Sequence, residues 1–339
     1  MFTYTTQVRI QPSILKAELS PLKEAYDKLD PTGERRKSKK VDGDVRGTMA
    51  RSAFSRWNNL NHFYFRLIGA EEPRVPILKT FEDGSVLINV TAEAKGNSTR
   101  VYFHPSITSL SKEIRKAIKP IDDNKVFVYT DIKAAEFALR AVQADDQDAL
   151  ATYSQGGDIY MHFKNLFPEG TPRKTIKTIL IANMYGKSAY STGKDLGVSE
   201  FQAQRILDSV ARAMPKFTQL KYRIANYART HNGYFVPKGG ELVKVADINP
   251  KKGFDPNMAW SAYTQSSLGF KMQDFTNKYL EHQKGEQATF LSIFDSVIAE
   301  VSPDRVDAFS EYFKKLWAPL LPDGFHVGKT MYEAMYGDE

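Results

Sequence analysis

No cysteine occurs among the 339 residues. That excludes disulfide staples, thiolate zinc or iron–sulfur sites and a cysteine nucleophile. Long hydrophobic runs are lacking as well. Apolar stretches such as TILIANM and VLINV fall far short of the roughly 20 residues that cross a bilayer. The first twenty residues are broken by Arg9, Pro12 and Lys16, and no export signal is read there. There is no internal repeat and no low-complexity segment, so solenoid and linker classes drop out. What is present is globular: 42% hydrophobic and 26% charged residues, enough chain for a sizeable core. A soluble protein kept inside a cell is expected.

The net charge is +7, and most of it lies at the front. Residues 1–60 hold twelve Lys or Arg against seven acids, with the run ERRKSKK at 34–40. Such a run is a solvated loop or a basic finger over a phosphate backbone.

Hydrophobic spacing predicts an α+β chain. PRVPILKTF, SVLINVTAEA and TRVYFH read as strands around turns within 73–104. KVFVYTD (125–131) reads as a buried strand, and AAEFALRAVQADDQDALATY as the helix after it. From 159 to 231 the apolar spacing is helical throughout. HNGYFVPKGGELVKV reads as a hairpin, MAWSAYTQSSLGFKMQDFTNKYLEHQ as a long helix, and ATFLSIFDSVIAEV (288–301) as two strands about a tight turn. DRVDAFSEYFKKLW reads as a closing helix. The strands on either side of 159–231 must come together in one sheet.

Two carboxylates stand out. Asp131 ends the strand KVFVYT, and Asp295 sits at the turn of LSIF-D-SVIAEV. Singly, each is most simply a turn aspartate. Together they could converge at one sheet edge and hold divalent cations ~4 Å apart, a geometry suited to phosphoryl or nucleotidyl transfer.

The segment TPRKTIKTILIANMYG (171–186) carries Arg173, Lys177, Ile181 and Tyr185 at steps of four. Each step advances only about 40° round a helix, so Arg173 and Lys177 share a face. Thr171 can cap that helix, Pro172 fits its first position and Gly186 suits its end. Two cations near a helix N-terminus suit a triphosphate, although an ordinary amphipathic helix would also show them. Glu136, five residues after Asp131, could approach the same place.

These segments resemble motifs A, B and C of family A DNA polymerases, the polymerase I type. The family's D-Y-S-Q-I-E-L-R appears as D-I-K-A-A-E-F-A-L-R (131–140). Its R-x3-K-x7-Y-G is met by Arg173, Lys177, Tyr185 and Gly186. Its V-H-D-E appears as I-F-D-S (293–296). Weaker matches fall in order: ARSAFSRWNNLN (50–61), GGDIYMHF (156–163), NGYF (232–235), TQSS (264–267) and the ending FHVGKTMYEAM. Phe294 stands for the usual His, Ser296 for the usual acid, and Ile181 for the usual aromatic.

The resemblance implies a right-hand polymerase fold with an antiparallel palm sheet, a helical fingers insertion and a reduced thumb. Residues 1–60 would be the reduced thumb and a primer–template segment. Residues 61–158 would be the first part of the palm, 159–231 the fingers and 232–339 the rest of the palm. Asp131, Asp295 and the backbone carbonyl of Ile132 would bind two Mg²⁺ ions, with Mn²⁺ as a substitute. Arg173, Lys177, Ile181 and Tyr185 would bind the incoming dNTP, and Glu136 would exclude a ribose 2′-hydroxyl. Arg51, Asn59, Asn61, Gly186 and Gln265 would contact the DNA primer–template.

About 45 residues precede the Arg51 segment, too few for a 3′–5′ exonuclease domain of ~100–200 residues. Grip on DNA would come from ERRKSKK or from a processivity or thumb-replacing subunit. The setting would be the cytoplasm of a bacterial or phage-infected cell. An RNA-synthesising relative, such as a primase or single-subunit RNA polymerase, and an inactive DNA-binding relative stay open as alternatives.

Overall fold

The computed structural model describes residues 2–32, 45–68, 75–95, 99–107, 112–155, 157–236, 243–244, 256–283 and 288–337. The ERRKSKK run lies outside them. The chain opens with strand β1 (Thr3–Ile10) and two long helices, α1 (Pro12–Leu29) and α2 (Val45–Ile68). Strands β2 (Ile77–Thr80), β3 (Val86–Lys95) and β4 (Arg100–His104) follow, then α3 (Lys112–Lys116) and β5 (Ile118–Lys119). β3 pairs with β1 along one edge, and with β2 and then β4 along the other, all antiparallel. β5 closes this five-stranded sheet against β1.

The second sheet is built from distant pieces. Its members are β6 (Val126–Asp131), β9 (Phe290–Ile293), β10 (Ser296–Val301) and β11 (His326–Gly328), in the order β11-β6-β10-β9. Between β6 and β9 come α4 (Ala135–Ala144), α5 (Gln147–Ser154), a 3₁₀ turn (Met161–Leu166), α6 (Arg173–Met184), α7 (Ala189–Leu196), α8 (Glu200–Ala213) and α9 (Pro215–Thr230). The pair β7 (Tyr234–Phe235) and β8 (Val243–Lys244) and the long α10 (Pro256–Gln283) complete the excursion. Helices α11 (Val306–Trp317) and α12 (Met331–Tyr336) flank β11.

The apolar pattern explains the layering. All six residues of β10 are buried, which is why SVIAEV reads as one near-continuous apolar run. Phe313 and Trp317 of α11, both fully buried, join Tyr279 of α10 in an aromatic cluster that reaches Phe290 of β9. Glu300 is the exception in β10. Its buried carboxylate accepts the backbone N–H of Asp122 at 3.0 Å and of Thr289 at 3.1 Å, so it is fully satisfied.

The two sheets meet through side chains. β9 is the outer strand of its sheet, and β1 seals part of its open edge. The Phe290 N–H donates to Thr6 Oγ1 and the Ser292 N–H to Tyr4 OH, both at 3.0 Å. Thr289 Oγ1 donates in return to the Gln7 carbonyl at 3.0 Å. Arg9 fastens the other end of β1. It is 2% exposed and pairs with Asp83 at 3.0 Å and Asp123 at 2.6 Å. Its Nε donates to Ser85 Oγ at 2.6 Å, and its guanidinium lies 4.1 Å over Phe81. The Ser85 hydroxyl bond, together with Arg9, holds the Asp83 carboxyl far below its ordinary range. Arg9→Met should destabilise the chain by about 3 kcal/mol, because it strips a buried network of its centre. Urea unfolding checks this, and a loss under about 1 kcal/mol would refute it.

Two local departures have simple causes. The single helix expected over AAEFALRAVQADDQDALATY breaks at Asp145, which takes a left-handed φ of 53°. Asp146 then caps α5 by accepting the Ala149 N–H at 3.2 Å. Adjacent aspartates favour caps over helix interiors. The start of α6 shifts by one: Pro172, extended at ψ 144°, holds the cap position, while the Thr171 hydroxyl donates to the Pro168 carbonyl at 2.6 Å. The expected NGYF hairpin forms as the β7–β8 pair, with 237–242 outside the described residues.

Candidate active site

β6 and β10 are antiparallel neighbours, and their register sets Ser296 opposite Asp131. Asp295 stands in the two-residue turn between β9 and β10. Phe294 before it adopts φ 55°, a left-handed conformation that a bulky side chain rarely takes. The Ile132 N–H donates to the Asp295 carbonyl at 2.9 Å, which locks the strand ends together. Asp131 and Asp295 therefore converge at one sheet edge, as their positions suggested. A cavity of about 290 Å³ opens over them.

Three further elements close that cavity. α4 supplies Glu136, α6 supplies Lys177 and Ile181, and α10 supplies Gln265; Ile132 also lines it. Tyr185, just past the end of α6, donates its hydroxyl to Glu136 Oε1. Gly186 takes φ 88°, and a Cβ there would come within 2.5 Å of Asn257 Cγ, so glycine is required on both counts. Arg173 and Lys177 do share a face: both cations lie over the Tyr160 ring, at 5.8 Å and 5.5 Å. Arg173 is largely exposed and ion-paired with Asp158. Burial pulls Asp158 upward, but Arg173 and the N–H groups of Met161 and Tyr160 outweigh it and hold it below its ordinary range.

Arg51, Asn59 and Asn61 do not line this cavity. They lie on α2, which packs against α1; Arg51 donates to Thr48 Oγ1 at 3.1 Å. Conversely, the cavity includes residues the sequence did not single out. Asp323 and Arg100 line it, and the Asp323 N–H donates to the Asp131 carbonyl at 2.8 Å. Asp323 belongs to a PDG turn, and nothing in that local pattern separates it from an ordinary turn aspartate.

The electrostatics are those of a site short of positive charge. Burial raises the Asp295 carboxyl to about 6, helped by the charges of Asp131 and Glu136. Asp131 is raised too, by burial first and by Asp323 next; Lys177 only tempers it. Among the described residues no cluster of three or more His, Asp or Glu forms a ready metal cage. The donors on the cavity wall are the carboxylates of Asp131, Glu136, Asp295 and Asp323, with backbone oxygens and room for water. That hard-oxygen set fits Mg²⁺ or Mn²⁺ and does not fit zinc.

The family model for DNA polymerase family A matches residues 104–319. The chain belongs to DNA polymerase family A. Among similar curated proteins, the DNA polymerase of Mycobacterium phage D29 is 24% identical over 237 residues, 64% of this chain and 36% of that protein. DNA polymerase I of Chloroflexus aurantiacus is 23% identical over 251 residues, covering 68% of this chain and 26% of the relative. The chain thus spans about a quarter to a third of the relatives' own length. The polymerase domain of Pol1 from M. smegmatis, solved with DNA primer-template and dNTP, superposes with a TM-score of 0.77 over 97% of this chain and 68% of its own, at 15% identity. That establishes the right-hand polymerase fold for this family A chain, with its mixed helices and antiparallel sheets. Among the described residues, no helix is long and apolar enough to cross a membrane.

Proposed function

We propose that the chain is a template-directed DNA polymerase that adds dNTPs to a primer 3′-hydroxyl. The observation that carries this is the facing of two groups across one cavity: Asp131 and Asp295 on the sheet edge, and Lys177 on α6, with Arg173 one turn before it toward the helix N-terminus. In this reading the four-stranded sheet is the palm, 159–231 are the fingers, and the α1–α2 pair with β1 is the grip on duplex DNA.

The roles follow from the chemistry of each side chain. Lys177 and Arg173 hold the triphosphate at the positive end of α6, where charge, donors and helix dipole agree. Arg173 must leave Asp158 to do so, exchanging one anion for another. The primer 3′-hydroxyl attacks the α-phosphorus in line, and pyrophosphate leaves toward Lys177. Asp131, Asp295 and the Ile132 carbonyl would hold two divalent cations. Bound there, such cations lower the pKa of a hydroxyl and neutralise charge on the phosphoryl oxygens. Ile181 on the cavity wall, with Tyr185 one turn beyond it, would face the incoming base. Glu136, pinned by the Tyr185 hydroxyl, occupies the space beside the sugar and favours a deoxyribose. Gln265 and Gly186 face the template side.

Primer extension tests the reading. A labelled DNA primer–template is incubated with Mg²⁺ and either dNTPs or NTPs. Extension with dNTPs is expected. Extension with NTPs alone would replace this reading by an RNA-synthesising one, and binding without extension by an inactive one.

A further inference from the structure

Arg140 is the most deeply buried charge near the site, with no exposed surface at all. It stands four residues after Glu136 on α4, so the two share a helix face. Its guanidinium carbon lies 5.1 Å from the Tyr185 ring centre and 5.0 Å from that of Trp260. Nε donates to Thr264 Oγ1 at 3.2 Å, and Nη1 meets Met184 Sδ. Nη2 has no hydrogen-bond partner among the described residues. A buried cation held by two rings, one hydroxyl and a thioether is costly even with the Glu136 carboxylate one turn away, and apolar packing would serve stability alone better.

Its contacts explain why an arginine stands there. Met184 and Tyr185 end α6, Trp260 and Thr264 belong to α10, and Glu136 shares its own helix. Each of these three elements brings a residue to the nucleotide cavity. Tyr185 lies past the last turn of α6 and before the left-handed Gly186, where the backbone does little to fix its ring. The planar guanidinium, 5.1 Å from that ring's centre, supplies the missing constraint.

We propose that Arg140 is a positioning residue for sugar selection: it fixes the Tyr185 ring so that the Tyr185 hydroxyl holds the Glu136 carboxylate beside the sugar. The proposal rests on the polymerase reading and adds a residue that touches neither substrate nor metal. It acts through Tyr185, so its signature is a changed preference between nucleotides.

The test compares Arg140→Met and Arg140→Lys with the unaltered chain. Single-nucleotide kinetics give kcat and KM for a dNTP and its ribonucleotide, and thermal melting runs in parallel. Arg140→Met should shift the dNTP:rNTP ratio of kcat/KM about tenfold toward the ribonucleotide. Arg140→Lys, which keeps the charge but not the plane, should fall between. In a Glu136→Ala background, Arg140→Met should leave the ratio where Glu136→Ala alone puts it.

Ratios within twofold of the unaltered chain in both variants, with rates and melting temperature reduced, would overturn the proposal and leave a stability anchor. An Arg140→Met effect that adds in full to Glu136→Ala would overturn the route through Glu136. If Arg140→Met fails to fold, the ratio of Arg140→Lys decides. If the unaltered chain extends with neither nucleotide, the polymerase reading fails and the proposal falls with it.

Discussion

Asp295→Asn should cut primer extension by at least about 10³-fold while leaving DNA binding nearly intact. The amide keeps the shape of the turn but removes half of the anionic pair that would hold divalent cations. The same change should make the metal-free chain more stable at neutral pH. The Asp295 carboxyl titrates near 6 in the fold, above its ordinary 3.8, because burial and then the charges of Asp131 and Glu136 oppose its ionisation. A raised carboxyl binds its proton more tightly in the folded state, so the cost of ionising it is absent below about pH 4. That cost grows through the window up to about 6 and is complete above it, reaching about 3 kcal/mol. Melting in chelator should therefore favour Asp295→Asn at pH 8, with the advantage gone at pH 4. Near-normal extension would remove Asp295 from the cation site; a variant no more stable at pH 8 would refute the electrostatic account.

Glu136→Ala should lower discrimination against ribonucleotides by about 10²-fold in kcat/KM. Two effects act together. The carboxylate no longer fills the space beside the sugar, and the Tyr185 hydroxyl, buried against it, loses its acceptor. Alanine suits the first turn of α4, so the fold should tolerate the exchange. Tyr185→Phe removes only the hydroxyl and should produce part of the same shift. Parallel single-nucleotide kinetics with a dNTP and its ribonucleotide decide this. An unchanged preference in Glu136→Ala would assign sugar selection to another group on the cavity wall.

The chemistry was more legible in the sequence than the frame that supports it. Asp131, Glu136, Lys177 and Asp295 sit at strand ends or on strongly periodic helices, so local pattern placed them, and the fold brought them into one cavity. Strand β1 was less visible. Its inward positions Tyr4, Thr6, Val8 and Ile10 alternate, but two of them are polar, and the partners that satisfy them lie more than 280 residues away. β11 has three residues, too few for any period. Asp323 and Arg100 reach the cavity only through sheet topology. Arg51, Asn59 and Asn61 lie on α2, whose partner is α1, and do not line the cavity. Composition hid Arg140 as well: in sequence it is one more basic residue in an amphipathic helix, and only burial marks it out.

The first strand meshes with two partners by two different means. Its backbone pairs residue for residue with β3, from Thr3 opposite Glu93 to Ile10 opposite Val86. Its side chains at Tyr4 and Thr6 reach the backbone of β9, three residues short of Asp295 at Ser292. A slip of one residue along β3 would turn Thr5 and Gln7 toward β9 and send the tyrosine and threonine outward. The strand therefore works as a ruler laid across the molecule. It measures the five-stranded sheet against the turn that carries Asp295, and either sheet can shift along it only if both registers change at once.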